Sequence, residues 1–384
     1  MHSKIPELWL ISVPGDRTAH EAYEKLEKAT HNCSSNHKFN IPELKVGTLD
    51  QLVGLSDDLA KLDAAAECVT RKLVGYFGEV LKDEEDKLSE NLMIGGKDIH
   101  TYVTKFQWEG GKYPRQQSLK VLSEILAKQV SQIEHDLKTK SHNYSALKTN
   151  LSHIDRKATG SLATRDLSDL VKAEDFVLNS EYMQTLLVVV PKIRAEEWEA
   201  TYSTFACMVV PGSNRKLHKD AENYLYSVTL FKKVIDEWKI KCREKKFVVL
   251  DFVYDEATMM LGKSNRERLV QEIHRQHAPI VRWLKINFAE IYSAYIHIKC
   301  MRVFIESVLT YGLPINFQAL IMEPHKGTTK KVRHELLKLY GHLDDHVPGH
   351  VDAYEDMPTL KALGIHDYYP YVYSNVVVDF TAQK

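Results

Sequence analysis

The stretch VRWLKINFAEIYSAYIHIKCMRVFIESVLTYGLP (residues 281–314) decides how the rest of the chain is read. It is the most apolar long run in the sequence, and the first question is whether it crosses a membrane. Lys285, Glu290, Lys299, Arg302 and Glu306 interrupt it. Its longest charge-free run, from Ile291 to Ile298, falls far short of the ~20 residues a helical span needs. Leu284, Phe288, Ile291, Tyr295, Ile298, Ile305 and Leu309 recur at steps near three and four, with Arg302 as the break. Tyr292, Ile296 and Val303 add a second stripe. Two stripes predict a helix covered on more than one side by protein. Pro279 suits its first turn, and Gly312 with Pro314 stops it after roughly 50 Å.

Two more long helices are predicted upstream. Leu55, Leu59, Leu62, Ala66, Val69, Leu73, Tyr76 and Val80 alternate steps of four and three, a heptad stripe. Ser56, Asp57 and Asp58 suit its start. Thr48 and Gln51 could form a capping box for a shorter lead-in helix. From near Pro114, Leu126, Val130, Ile133, Leu137, Tyr144, Leu147, Leu151 and Ile154 keep the same beat, with Lys140 filling one slot. This helix would run about 40 residues, roughly 60 Å, unless it breaks between Ser141 and Asn143. A compact chain of this length has a diameter near ~55 Å, so the helix predicts an elongated molecule with a helical shaft.

A different texture separates the second and third long helices. EYMQTLLVVVP (residues 181–191) reads as a strand and RAEEWEATYSTFA (194–206) as a helix. CMVVPGS (207–213) and NYLYSVTLF (223–231) read as strands, KKVIDEWKIKCREK (232–245) as a helix, and KFVVLDFVY (246–254) as a strand. The order β-α-β-β-α-β is that of the ferredoxin-like plait, inserted as one unit. The chain ends resemble each other in kind. LWLISVP (8–14) is a strand followed by a helix over 18–30, and KFNIPE (38–43) is a candidate strand. INFQALIMEP (315–324), TTKKVRHELLKLYGHL (328–343) and YPYVYSNVVVDF (369–380) read as strand, helix and strand, the last with Tyr371 and Tyr373 on one face. Neither end makes a stable sheet alone, so the two are expected to pair into a second α/β unit, giving an α+β chain.

Hydrophobic residues make up 44% of the 384, enough to bury a large core in two or three domains. A net charge of -1 provides no strong field to draw the chain to nucleic acid or anionic lipid. Five scattered cysteines (Cys33, Cys68, Cys207, Cys242, Cys300) without a CxxC pair read as reduced thiols in a cytoplasmic protein. The short apolar run near the N-terminus ends at Pro14 and Gly15 and is better read as a strand than as a signal peptide.

Several motifs invite a chemical reading. ATMMLGKS, from Ala257 to Ser264, fits a relaxed phosphate-loop pattern between a strand and a helix. Met259, Met260 and Leu261 occupy positions where such a loop wraps backbone N–H groups around phosphates, which favours a linker. HLDDHVPGH, from His342 to His350, gathers His342, Asp344, Asp345, His346 and His350, but Pro348 and Gly349 break any helical spacing of metal ligands. His274 and His277 form a weak pair before Pro279. No activating motif marks any cysteine as a nucleophile. Lys326, Lys330, Lys331 and Arg333 form a modest basic face. KDEEDK (82–87) reads as a solvated helix end. No catalytic, cofactor-binding or metal residue is therefore assigned, and no cofactor is expected.

Longer strings carry a resemblance. FNIPELKVGTLDQLVGLSDDLAKLD (39–63), TKFQWEGGKYPRQQSL (104–119), GSLATRDL (160–167), FVLNSEYMQTLLVVVPK (176–192), residues 281–314 and YYPYVYSNV (368–376) resemble the C subunit of the vacuolar-type proton-pumping ATPase (V-ATPase). Residues 19–37, 212–221, 256–275 and 345–364 are least like that family and look like variable loops and helix ends. The resemblance implies an elongated boot: a head at 157–264 on a helical neck, and a foot that, with the neck, comprises 1–156 and 265–384. It implies a non-catalytic stator subunit of the peripheral stalk. Such a subunit links the soluble ATP-hydrolysing sector to the membrane sector that carries out proton transport, and takes part in reversible complex assembly. Implied partners are heterodimers of the E and G subunits at head and foot, the N-terminal domain of the membrane-embedded a subunit at the foot, and in some members actin filaments. The implied location is cytoplasmic, on the cytosolic face of vacuolar, endolysosomal and plasma membranes. The rivals are an actin-binding adaptor and a nucleotide-binding enzyme using the loop from Ala257 to Ser264.

Overall fold

The computed structural model describes residues 8–15, 18–81, 88–343 and 369–380. In chain order these form β1 (Leu8–Pro14), α1 (Ala19–Thr30), β2 (Ser34–Lys38), α2 (Leu49–Val80), α3 (Leu88–Asn91), β3 (Met93–Ile94), β4 (Lys97–Asp98), α4 (Ile99–Thr104) and α5 (Leu119–Thr159). Then come β5 (Met183–Pro191), α6 (Ala195–Thr201), β6 (Arg215–Lys219), β7 (Asn223–Phe231), α7 (Ile235–Glu244) and β8 (Val248–Leu250). The last elements are α8 (Glu256–Tyr311), β9 (Phe317–Pro324), α9 (Thr329–Tyr340) and β10 (Val372–Val376). The chain divides into two compact units: a terminal unit, Met1–Ser141 with His277–Lys384, and an inserted unit, His142–Gln276.

The terminal unit pairs the two ends of the chain. Its antiparallel sheet has the order β10-β1-β9-β2, with Leu8 opposite Val376 and Trp9 opposite Met322. One face of β1 (Trp9, Ile11, Val13) packs on Ala22 and Leu26 of α1 and on Val332 and Leu336 of α9. On the other, Ser307 of α8 donates to Ser12 Oγ at 2.7 Å. Covered on both faces, β1 has no polar side to show, which is why its sequence runs almost unbroken in apolar residues. β2 lies at 34–38, ahead of the segment 38–43 expected from sequence, and its SSNHK has no apolar alternation. The edge is fixed by polar contacts instead: Tyr23 donates to Asn36 O, and Asn36 to Glu27 and Thr30. The β3–β4 hairpin turns on Gly95 and Gly96, whose φ values of 56° and 77° are those a two-residue I′ turn requires.

The inserted unit has its own antiparallel sheet, ordered β6-β7-β5-β8. Leu186, Val188, Val190, Tyr226 and Val228 face Trp198, Phe205, Trp238 and Phe247. Leu187, Val189 and Leu225 face Leu162, Leu167 and Val171 of the irregular segment after α5. The strand expected at 207–213 is displaced. Those residues make only an isolated bridge, Val209 to Leu230, and the strand is Arg215–Lys219. RKLHK is nearly all basic because β6 is an edge strand that turns only Leu217 into the core.

Two of the long helices are longer than expected. α2 is a single helix from Leu49, with Gln51 Oε1 accepting from the Thr48 N–H at 3.4 Å, so the lead-in and main helices merge. α5 runs 41 residues without a break at 141–143. α8 begins at Glu256, not at Pro279, and the proline lies inside it. The expected linker from Ala257 to Ser264 is therefore helical. Gly312, at φ 80°, ends α8 with its N–H on Val308 O, as its sequence position predicts.

Candidate interaction surfaces

Every residue from Ile291 to Met301 of α8 is buried. Three tyrosines fasten the C-terminal strand. Tyr292 donates to Val377 O (3.1 Å), Tyr295 accepts from Val377 N–H (3.4 Å), and Tyr311 donates to Ser12 O (2.6 Å) while accepting from Val372 N–H (3.1 Å). Phe380 lies edge-on to Tyr292 and Tyr295. Among the described residues, no helix is long and apolar enough to cross a membrane. The apolar run from Ile291 to Met301 of α8 is buried by the protein itself.

The charges that interrupt α8 are paired inside. Lys299 Nζ lies 3.0 Å from Asp63 Oδ2 and 3.4 Å from Ser374 Oγ, and 4.8 Å from the centre of the Tyr295 ring. Arg302 reaches the same Asp63 oxygen at 3.0 Å and Glu306 at 2.7 Å. Burial lowers the pKa of the Lys299 amine, and Asp63 opposes that shift. The cluster ties α2, α8 and β10 together. Asp63 stands one place beyond Leu62 of the heptad stripe, so no apolar pattern could flag it.

A second buried network explains TKFQWEGGKYP. The His297 ring packs among Phe106, Trp108 and Tyr113 at 4.6–5.0 Å. Its Nδ1–H donates to Ser293 O (2.7 Å), and its Nε2 accepts the Glu109 backbone N–H (3.1 Å). Ser293 donates to Glu109 Oε1 at 2.9 Å, Tyr102 donates to Ser293 Oγ at 3.1 Å, and Lys112 pairs with Glu290. Burial is the largest influence holding the His297 pKa down to about 4. Serine, histidine and glutamate are the residue types of a nucleophilic triad, but the wiring differs. Nε2 is filled by a backbone amide, and His297 is 0% exposed. The network locks the 104–113 segment onto α8.

The sequence motifs do not assemble into a site. The segment from Ala257 to Ser264 is the first turns of α8, so its backbone N–H groups cannot wrap a phosphate as a loop would. His274 is exposed and His277 half-buried on the same helix. His342 sits in a short 3-10 turn, and Asp344, Asp345, His346 and His350 lie outside the described residues, as does 82–87. Among the described residues, no group of three His, Cys, Asp or Glu side chains is placed to hold a metal ion. Cys33, Cys242 and Cys300 are buried, and burial pushes the Cys242 thiol up to about 12, away from reactivity. Of the basic face, Arg333 of α9 is used in packing, 2.5 Å from the Tyr369 hydroxyl, while Lys330 and Lys331 of α9 and Lys326 ahead of it are exposed.

Two surface features went unseen in the sequence. An open groove of about 670 Å³ between α2 and α5 is lined by Lys72, Tyr76, Glu79, Glu134, His135 and Lys138, with Lys72 and Glu134 paired at 2.7 Å. The other is the basic edge strand β6, hidden because an exposed edge carries neither alternation nor an apolar run.

A family profile described as the V-ATPase C subunit matches residues 8–372. The V-type proton ATPase C subunit of Caenorhabditis briggsae is 62% identical over 375 residues, covering 98% of this chain and 97% of the relative. That of Manduca sexta is 51% identical over 377 residues (97% and 98%). The V-type proton ATPase C subunit 1 of Bos taurus is 52% identical over 373 residues (96% and 97%).

Proposed function

The chain belongs to the family of V-ATPase C subunits, and from that premise we propose that it is a non-catalytic stator subunit of the V-type proton ATPase. In this reading it joins the ATP-hydrolysing sector to the proton-translocating sector, and its release and return govern assembly of the complex. It sits on the cytosolic face of vacuolar, endolysosomal and plasma membranes through its partners. The observation that carries the reading is the near end-to-end match to relatives named as V-type ATPase C subunits. Tight packing around α8 fits a part that bears load, because close-packed interiors deform little.

The proposal has finer parts. We read the β-α-β-β-α-β succession and strand order of the inserted unit as a ferredoxin-like head within 157–264, with 1–156 and 265–384 forming foot and neck of an elongated boot. Small-angle scattering from the full chain tests the outline. The head binds one heterodimer of the E and G subunits, and the foot a second heterodimer and the N-terminal domain of the a subunit. Titration calorimetry of the full chain against purified E–G heterodimer is the direct test, with saturable binding expected and no binding sinking the partner assignment. The fragment 157–264 in the same cell separates head from foot. Actin binding is a further part, and cosedimentation that survives high salt would support it.

A further inference from the structure

We propose that the outer edge of β6, with the turn that follows β5, is a docking site for an acidic polypeptide segment of another protein of the complex. β6 is an edge strand, and such a strand presents a row of backbone N–H and C=O groups to an incoming chain. Arg215, Lys216, His218 and Lys219 occupy it, all exposed. The Lys192 N–H donates to Glu222 O at 2.9 Å, which brings the turn after β5 beside the β6–β7 hairpin. Lys192 Nζ and Lys216 Nζ both approach the Tyr224 ring, at 5.7 and 3.1 Å from its centre. Next to Lys192, Ile193 is 98% exposed, more than any other large hydrophobic among the described residues.

The cations of this edge are free to meet an incoming charge. Arg194, Lys239, Lys241 and Lys245 of the same unit each pair with Glu197, Asp251 or Glu237. Lys192, Arg215, Lys216 and Lys219 form no ion pair among the described residues. An acidic strand added along β6 would gain backbone hydrogen bonds from the edge and selection by charge from the lysines. Nucleic acid and anionic lipid are disfavoured as occupants, because the whole chain carries a net charge of -1 and the patch only a few cations. Lysines also guard edge strands against self-pairing. That role depends on charge but not on its sign, so reversing the sign separates it from docking.

The inference deepens the stalk-contact reading and rests on the head being a contact surface. The test uses the full chain and a V-type ATPase complex stripped of its native copy of this protein. The variant K192E/K216E/K219E keeps a charged edge but reverses its sign. K239E/K241E/K245E applies the same charge change to paired lysines of the same unit, and circular dichroism checks both folds. The edge variant should bind at least tenfold more weakly with a flatter salt dependence, and the control within twofold of wild type. A photo-crosslinker at position 193 should capture an acidic segment of a stalk protein. Undiminished binding by the edge variant overturns the docking site, as does a crosslinker in the bound state that captures lipid or nothing. Capture of an acidic segment from a protein other than E or G keeps the site and overturns the stalk assignment. Capture of E or G with undiminished variant binding does the reverse. Failure of the wild-type chain to bind the stripped complex overturns both.

Discussion

Both units are built on a four-stranded antiparallel sheet, but the chain assembles the two sheets in opposite ways. In the inserted unit all four strands fall between Met183 and Leu250, and each pairs within one contiguous segment. In the terminal unit β1 pairs with β10 from the far end of the chain. Pairing distant segments costs loop-closure entropy before any contact repays it. The two units meet that cost differently. The inserted unit relies on a dense aromatic cluster, in which Trp198 contacts Tyr202, Phe205, Tyr226, Trp238 and Phe247. The terminal unit adds directional fixings: tyrosine hydroxyls on backbone groups, a buried ion cluster, and a histidine held by a backbone amide. Hydrogen bonds and ion pairs specify register where an apolar face alone would permit slippage.

The contrast can be broken most sharply by removing residues 369–384. The terminal unit should lose its cooperative calorimetric transition, since β10 supplies an edge of its sheet and the cap on Lys299, while the transition of the inserted unit remains. Survival of both transitions would mean that β10 is dispensable. Single substitutions should separate the units next. Asp63→Ala leaves Lys299 buried without its carboxylate and should cost the terminal unit about 3–5 kcal/mol in urea unfolding. Replacing both partners, as Asp63→Leu with Lys299→Met, should recover most of that loss. Trp198→Ala should cost about 3–5 kcal/mol, confined to the other transition.

Acid should also distinguish them. The folded pKa of His297 is held down to about 4, below the ~6.5 of a free imidazole. Between these values the unfolded chain takes up a proton that the folded one refuses. Stability from this source is complete above pH 6.5 and falls as pH drops towards 4, by about 3 kcal/mol. Urea midpoints at stepped pH should show this slope for the terminal unit, and His297→Gln, which cannot titrate, should flatten it. The smallest effect expected is that of Tyr311→Phe. It removes one hydroxyl that serves both Ser12 O and Val372 N–H, and should lower the terminal transition by about 1 kcal/mol with the other unchanged.

Much of the fold was legible because periodicity reports burial. β1 and the first turn of α1 stand where the sequence put them, with the Thr18 side chain accepting from the Glu21 N–H as an N-cap. Six of the eight apolar positions in the α2 stripe are buried (Leu59, Ala66, Val69, Leu73, Tyr76, Val80). The misplaced edge strands had a common cause. β2 and β6 are edge strands whose SSNHK and RKLHK bury too little to leave a pattern. The start of α8 was misplaced because a proline is a good first-turn residue, and only neighbours decide whether a helix continues through one.

By itself the sequence determined the class of the molecule: long amphipathic helices, two mixed units, no membrane-spanning run, and the strings that place it in its family. These follow from residue type and spacing, which local geometry converts directly into buried faces. The tertiary structure alone decided which polar residues matter. Asp63 and Lys299 are 236 positions apart, and His297 and Glu109 are 188 apart. Polar groups leave no periodic trace, because their partners are chosen by proximity in the fold and not along the chain. For the same reason, only the fold could bring Lys192 and Lys216 to one tyrosine ring, that of Tyr224.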